Sequence, residues 1–298
     1  MSWQFDIIDG PYGGTCEGPA WDGKSLLFTH IPASKIMRYD PKINSSTVYR
    51  ENTNNSNGMV FDSTGILHVC EGGGRRVVRF EKDGTTTVLA DSFANLNLNQ
   101  PNDLAIDLHG RVWFTDPFFK DAIWATRLTR STEDLDHESV FKAQEGPDGK
   151  WTVHRVTFDT TKPNGILFSL DHKNLYIAQS ARAMEEPREL RSYPVLSDGN
   201  LGKHRVLHDF GSYRGIDGMV LDTEGNIVAT AGFREGGPGP MIYVFSPSGE
   251  VIEQHPVPVD RPTNCTFGDD DLKTLYVTTS EGYILRARTE RRGRLHYP

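Results

Sequence analysis

The 298-residue sequence predicts an all-β protein folded as a single six-bladed β-propeller over residues 1–298. Three observations predict this fold. One motif recurs six times along the chain, short strand-like segments fill the intervals, and the two ends of the chain together make one further unit. Four antiparallel strands in 40–50 residues are typical of a propeller blade, and no segment has the pattern of a long amphipathic helix.

Each copy of the repeat has a polar residue, a short apolar run, an Asp-containing turn and a second apolar run. The first residues of successive copies are 40, 45, 62, 53 and 47 residues apart, so that six units account for the whole chain. These first residues are Glu17, Asn57, Asn102, Asn164, Asp217 and Asn264.

The second unit shows how the strands are placed. We predict strands at 59–61, 66–69, 77–80 and 86–89, because each segment is short, rich in Val, Ile, Phe or Thr, and bounded by turn residues. Four antiparallel strands of this kind would make up each blade.

Tight turns recur after the first apolar run of several units. They comprise residues 62–65, 107–110 and 222–225, with 171–174 as a variant. In each turn the Asp can bond its own backbone and the last residue can adopt a positive φ, which is what a tight hairpin requires.

The two ends of the chain complete the count. From Asn264 to the last residue there are 35 residues, enough for three strands, and 16 residues precede Glu17, among them the strand-like segment 3–8. Together the ends make 51 residues, which is one unit. The N-terminal strand is therefore predicted to complete the last blade and close the ring, which also protects an open sheet edge.

The third interval is long, and its surplus falls within residues 117–151. This stretch contains Phe118, Phe119 and Trp124, followed by the polar residues 131–138. Two interpretations stay open, a surface insertion and a lid over one end of the central channel.

Composition and charge narrow the range of partners. The 32 basic and 40 acidic residues give a net charge of −8, which argues against a protein that binds the phosphate backbone of nucleic acid. We expect no membrane partner, because no apolar run approaches the length of a span and the N-terminus lacks the features of a signal peptide. The three isolated cysteines fit a reducing compartment. We therefore expect a cytoplasmic protein that is a monomer or a weak homodimer.

The six first residues of the repeat should form a ring, since the innermost strand of each blade lines the channel. A buried ring of two carboxylates and four amides is costly unless something satisfies it. Its oxygens suit one hard divalent cation, above all calcium, with manganese, magnesium and zinc as alternatives. Zinc usually takes His or Cys ligands, and the ring has neither. Alternatively, these side chains cap the strand starts and bond one another or water.

Five sequence motifs follow one another along almost the whole chain, from Glu17 to about Thr279. They are Cys16–Asp22, Gln100–Leu104 with Trp113–Pro117, Pro163–Ile166, Gly215–Met219 and Pro262–Gly268. In this order they resemble the gluconolactonase family, which includes senescence marker protein 30 and is related to diisopropylfluorophosphatase. The resemblance implies a six-bladed propeller with one divalent cation, usually calcium, in its channel.

The resemblance also implies roles for individual residues. Glu17, Asn164 and Asp217 match the metal ligands of the family, and Asn102 matches a metal ligand or a substrate contact. Asp217 also matches the residue that acts as base or nucleophile. Animal members that act on sugar lactones carry an Arg where this chain has Gln100, so a charged sugar contact is missing. The candidate substrate contacts are Asn57, Gln100, Asn102, Asp103, Asp116 and Asn264, with Asp103 and Asp116 expected near the channel mouth or as strand caps.

The predicted reaction is the hydrolysis of a lactone, a small-molecule cyclic ester. A bound cation would polarise the carbonyl, and Asp217 would assist the attack of water. The sequence contains neither a Gly-x-Ser-x-Gly elbow nor a His-Glu-x-x-His pair. The alternatives are phosphotriester hydrolysis with Asp217 as nucleophile, and a non-catalytic propeller that serves as a binding scaffold.

Overall fold

The structure is a computed structural model, and it describes residues 2–119, 134–181 and 186–295. Six four-stranded antiparallel sheets follow one another around a ring, which confirms the predicted six-bladed propeller. Among the described residues, no helix is long and apolar enough to span a membrane.

The strands of each blade run in chain order from the channel outwards in blades one to five. Blade one comprises β2 (Cys16–Trp21), β3 (Leu26–His30), β4 (Lys35–Asp40) and β5 (Ser45–Glu51). Blade two comprises β6 (Ser56–Phe61), β7 (Leu67–Glu71), β8 (Arg76–Phe80) and β9 (Thr86–Ala90). A short hairpin of β10 (Ser92–Phe93) and β11 (Leu96–Asn97) then leads to blade three.

Blades three to five continue in the same way. Blade three comprises β12 (Leu104–Ile106), β13 (Val112–Asp116), β14 (Ser139–Glu145) and β15 (Trp151–Arg155). Blade four comprises β16 (Pro163–Phe168), β17 (Asn174–Ser180), β18 (Arg188–Pro194) and β19 (Arg205–Asp209). Blade five comprises β20 (Ile216–Leu221), β21 (Ile227–Phe233), β22 (Gly236–Phe245) and β23 (Val251–Pro256).

Blade six joins the two ends of the chain, as predicted. It comprises β24 (Pro262–Gly268), β25 (Thr274–Thr279), β26 (Ile284–Arg288) and, as its outermost strand, β1 (Asp6–Asp9). β1 pairs antiparallel with β26, with Ile7 opposite Leu285. This strand is shorter than the predicted segment 3–8, because Trp3 stacks on the His255 ring of blade five instead, with 3.8 Å between ring centroids.

The predicted turn is confirmed at Asp62 and is shifted by two residues in blade four. Asp62 Oδ1 accepts a hydrogen bond from Ile66 N (2.9 Å), and Gly65 closes the turn with φ +77°. In blade four the turn begins at Ser169, whose carbonyl accepts from His172 N (2.9 Å), and His172 takes the positive φ of +54°. The turn therefore begins two residues before the predicted 171–174. Ser169 takes the place of the usual Asp, Asp171 Oδ1 still accepts from Lys173 N (3.1 Å), and Asn174 already belongs to β17.

The apolar core lies between neighbouring blades. Tyr176 and Leu190 of blade four pack in one cluster with Ala229 and Phe245 of blade five, and equivalent clusters join the other blades. Because each blade buries its faces against its neighbours, the inner strands are held at fixed positions around the channel.

The long third interval belongs to the connection between β13 and β14. β14 begins at Ser139, so the surplus lies between residues 116 and 139. The lid hypothesis concerns this connection, and its residues 120–133 lie outside the described residues.

Candidate functional site

The ring residues occupy equivalent positions at the beginning of the inner strands. Five of them lie within β2, β6, β16, β20 and β24, and Asn102 lies two residues before β12. Strand pairing is irregular at these places, for example between Pro163 and Ile166 and between Ile216 and Met219. These β-bulges re-aim the side chains of the strand locally, as bulges next to functional sites do.

Two carboxylates of the ring each bond an amide of a neighbouring blade. Asn164 Nδ2 donates to Asp217 Oδ1 (2.7 Å), and Asn264 Nδ2 donates to Glu17 Oε2 (3.1 Å). Glu17 and the four Asn side chains are buried, and Asp217 is mostly so. The structure therefore brings these four predicted residues together in two pairs.

Glycines let the inner strands approach one another closely. The residue after the ring residue is Gly in four blades, at positions 18, 58, 165 and 218. A Cβ on Gly165 would lie 2.6 Å from the Asp217 carbonyl oxygen, and one on Gly218 would lie 2.0 Å from Asn264 Cγ. In blade three the same place holds Asp103.

The site concentrates negative charge. Burial raises the pKa of Glu17 well above its usual range, and the carboxylates of Asp217 and Asp103 add to this rise. Burial also raises the pKa of Asp103 to about 7, although its Oδ1 accepts a hydrogen bond from Leu104 N (2.9 Å). A positive charge placed among these groups would relieve their repulsion.

Arg214 is a site residue that the sequence analysis missed. Its Nη2 forms a close ion pair with Asp217 Oδ2, and its Nη1 donates to the carbonyls of Gly232 and Pro262, each at 3.0 Å. The sequence does contain a signal for this ion pair, since an Arg stands three residues before the ring carboxylate Asp217. The guanidinium fixes one oxygen of Asp217 while Asn164 holds the other.

The donor set fits an oxygen-liganded cation. Asn57 Oδ1 is buried and accepts no hydrogen bond from the described part of the chain. Asn264 Oδ1 differs, because it accepts from Cys265 N (2.8 Å). Within the described ranges, no three His, Cys, Asp or Glu side chains are grouped as a metal site. A cation would therefore need amide oxygens beside Glu17 and Asp217, which suits calcium better than zinc.

Gln100 and Asp116 connect the segment before β12 with the end of β13 and the segment after it. Gln100 Oε1 accepts from Phe119 N (2.8 Å), and its Nε2 lies 3.5 Å from Phe119 O. Asp116 is fully buried at the end of β13, and its Oδ2 accepts from Asn99 N (2.7 Å). These contacts hold the segments on either side of β12 and β13.

A cavity of about 860 Å³ lies on the hairpin side of the ring. Of the six ring residues only Asn264 lines it, together with Asp103 and Gly18 at its inner end and the turns at residues 62–64 and 107–111 at its outer end. Asp103 thus lies between the ring and this cavity, towards the hairpin end of the channel.

Comparison with known proteins shows the family to which this chain belongs. A family model described as the SMP-30/Gluconolactonase/LRE-like region matches residues 15–281. The chain is 28% identical over 298 residues to a gluconolactonase from Zymomonas mobilis, covering 92% of this chain and 78% of that protein. It is 26% identical over 270 residues to a regucalcin from Xenopus laevis, covering 89% and 82%. The solved structure of a gluconolactonase from Xanthomonas campestris has a TM-score of 0.80 at 26% identity, covering 96% of this chain and 89% of that one. Because the family model spans all six ring residues, this chain belongs to the SMP-30/gluconolactonase/LRE-like family.

Proposed function

We propose that this chain is a hydrolase that opens a lactone with the help of one divalent cation, calcium foremost. The observation that carries the proposal is the buried ring, in which two carboxylates and several amides converge at the channel. Its relatives from Zymomonas mobilis and Xanthomonas campestris are gluconolactonases, which supports a lactone as the substrate. The missing Arg at Gln100 favours a lactone other than gluconolactone itself.

Glu17, Asn102, Asn164 and Asp217 would hold the cation. When bound, the ion would act as a Lewis acid towards the lactone carbonyl. Glu17 serves mainly as a ligand, and its hydrogen bond from Asn264 sets the direction of its carboxylate. Asn57 Oδ1, which is buried and has no partner among the described residues, is available to the substrate or to a water molecule.

Asp217 accepts the proton of the attacking water. Asn164 of blade four holds one of its oxygens and Arg214, three residues before it, holds the other, so that the carboxylate has one defined orientation. The guanidinium of Arg214 pairs with the carboxylate form, which is the form that can take a proton. Asn264 and Asp103 line the channel on the hairpin side of the ring. Gln100 and Asp116 hold the segments before β12 and after β13.

Removal of the cation tests the proposed cation site. Protein purified without chelator should contain one equivalent of a divalent ion, and a chelator should lower its melting temperature, because an ion that binds only the folded state stabilises it. Metal analysis and thermal melts with and without added calcium measure this. Protein that contains no ion and melts at the same temperature in calcium and in chelator would contradict the proposed cation site.

Substitution of the two carboxylates tests the proposed roles of Glu17 as a ligand and Asp217 as the base. Asp217→Asn should lose activity by about 10²–10⁴-fold even with the cation bound, because an amide cannot take the proton. Glu17→Gln should weaken cation binding and recover part of its activity at high calcium. Rates on a panel of sugar, aliphatic and aromatic lactones, with metal content, measure both variants.

The exposed hairpin carboxylate Asp83, replaced in Asp83→Asn, is the control and should leave activity unchanged. Near-wild-type turnover by Asp217→Asn would exclude Asp217 as the base. A phosphotriester included in the panel separates the rival hydrolase activity, and turnover of no substrate at all would favour a scaffold.

A further inference from the structure

The backbone beside Asp217 lacks ordinary strand partners. In blade five, Ile216 pairs with Ala231 and Met219 pairs with Ala229, so that Asp217 and Gly218 both lie opposite the single residue Thr230. A bulge of this kind leaves backbone groups outside the sheet ladder, and buried backbone groups need other partners.

The hydroxyl of Thr230 supplies these partners. Gly218 N donates to Thr230 Oγ1 (3.1 Å), and the same Oγ1 lies 3.1 Å from Gly218 O and 2.8 Å from Thr263 O. The hydroxyl has one proton, so it donates to one carbonyl at a time, and Thr263 O is the nearer. Thr230 is completely buried.

The contacts continue into blades six and one. Thr263 precedes the ring residue Asn264, and its Oγ1 donates to the carbonyl of Cys16 (2.7 Å), which precedes Glu17. Thr263 Oγ1 also lies 2.8 Å from Thr278 Oγ1. A chain of buried hydroxyls therefore links the backbone next to Asp217 with the backbone next to Glu17.

We propose that Thr230 is a positioning residue that fixes the Asp217 carboxylate through the Gly218 backbone and, through Thr263, fixes its distance from Glu17. In the described part of the chain its hydroxyl bonds backbone atoms, those of Gly218 and Thr263, so it would act on the reaction through Asp217. The kinetic readout of this proposal rests on the proposed function, because displacement of a catalytic group by about 1 Å costs about 10²-fold in rate.

Thr29 provides a matched control at the corresponding place in blade one. It lies opposite Glu17 in β3, as Thr230 lies opposite Asp217, and both hydroxyls are fully buried. Thr29 Oγ1 has no partner in the described part of the chain. The reason is that Gly18 N donates to Glu17 Oε2 (2.6 Å) instead.

The test compares Thr230→Val, Thr230→Ser and Thr29→Val on whichever lactone the wild type hydrolyses. Valine keeps the shape of threonine without its hydroxyl, so Thr230→Val should lose about 10–100-fold in kcat with KM within about threefold. Thr230→Ser should retain kcat within about threefold, and Thr29→Val should match the wild type. Equal kcat in Thr230→Val and Thr29→Val, or failure of serine to restore kcat, would overturn the proposal.

Amide hydrogen exchange decides the proposal without any substrate. In Thr230→Val the Gly218 amide should exchange about tenfold faster than in the wild type, and in Thr230→Ser it should not. The Gly58 amide, which donates to Asn102 O (2.8 Å), is the internal control. If the Gly218 amide stays protected in Thr230→Val, the positioning role is overturned. If the amide loses its protection but the wild type opens no lactone, only the proposed function is overturned. If Thr230→Val does not fold, Thr230→Cys replaces it with the same expected ranking, because a thiol is a weak hydrogen-bonding group.

Discussion

Asp103 places a third carboxyl group behind the ring, where four other blades have glycine. Its surroundings offer hydrogen bonds, among them the Leu104 amide, yet burial still raises the pKa of Asp103 to about 7. The group is therefore protonated in the folded, cation-free protein at pH values at which it is ionised in the unfolded chain.

This difference predicts a pH dependence of stability. The pKa of Asp103 is higher in the folded state than in the unfolded state. Its contribution to the free energy of unfolding is therefore present at low pH and is lost as the pH rises through about 7. Relative to Asp103→Asn, the wild type without divalent cations should become less stable between pH 5 and pH 8.

Urea unfolding of both proteins in chelator, at pH 5, 6, 7 and 8, measures the difference. The histidines are common to both proteins, so their titration cancels. A difference that stays constant with pH would show that Asp103 has an ordinary pKa in the folded state.

The convergence of the ring residues could be predicted because the repeat places them at one register of the inner strands. Their partners could not, because they depend on side-chain direction across blades. The guanidinium of Arg214, which meets Asp217, is also held by two carbonyls from other strands. Gln100 turns to the Phe119 backbone, a contact 19 residues away that no motif records.

At the scale of the element, the inner strand depends on glycine at the bulge. Gly165 in β16 has an ordinary backbone conformation, but the Asp217 carbonyl of the next blade would lie 2.6 Å from an added Cβ. The obstacle is backbone, which cannot turn aside as a flexible side chain can.

We therefore expect Gly165→Ala to lower the free energy of unfolding by about 2 kcal/mol, the usual cost of overpacking. Gly202→Ala is the control, because its Cβ would meet neighbours only at 3.5 Å, an ordinary contact distance. Urea unfolding measures both variants, and equal stability of the two would mean that blades four and five can separate to accept the methyl group.

The positions of strands could be predicted where the strand consists of apolar and β-branched residues. Strand ends that consist of polar residues or glycine were predicted less accurately. β6 begins at Ser56 although the predicted segment begins at Met59, because Ser56, Asn57 and Gly58 carry no strand signal. Tertiary pairing of Ser56 with Glu71 extends the strand. In blade four, Ser169 performs in the turn the role that Asp has elsewhere, so a pattern based on Asp misplaced that turn.

At the scale of the whole molecule, closure of the ring depends on β1. Without this strand, β26 would present an unpaired edge, and such edges promote aggregation. Deletion of residues 2–9 should therefore lower the melting temperature and favour self-association.

A synthetic peptide of residues 2–12 provides the control for this deletion. Added in excess, it should raise the melting temperature of the truncated protein, because a ligand of the folded state stabilises that state. Calorimetry and light scattering measure both effects. A truncated protein that melts as the full chain does would show that β1 contributes little to closure.

The pairing of Ile7 with Leu285 also orders events during synthesis. The ribosome makes these residues 278 positions apart, which at about 5–20 residues per second takes on the order of 15–60 s. For that time the first strand has no partner, and its two isoleucines lie between Asp6 and Asp9, whose charges oppose association with other nascent chains. The last blade can be completed only after translation has passed Leu285, so the first strand made is among the last to find its place.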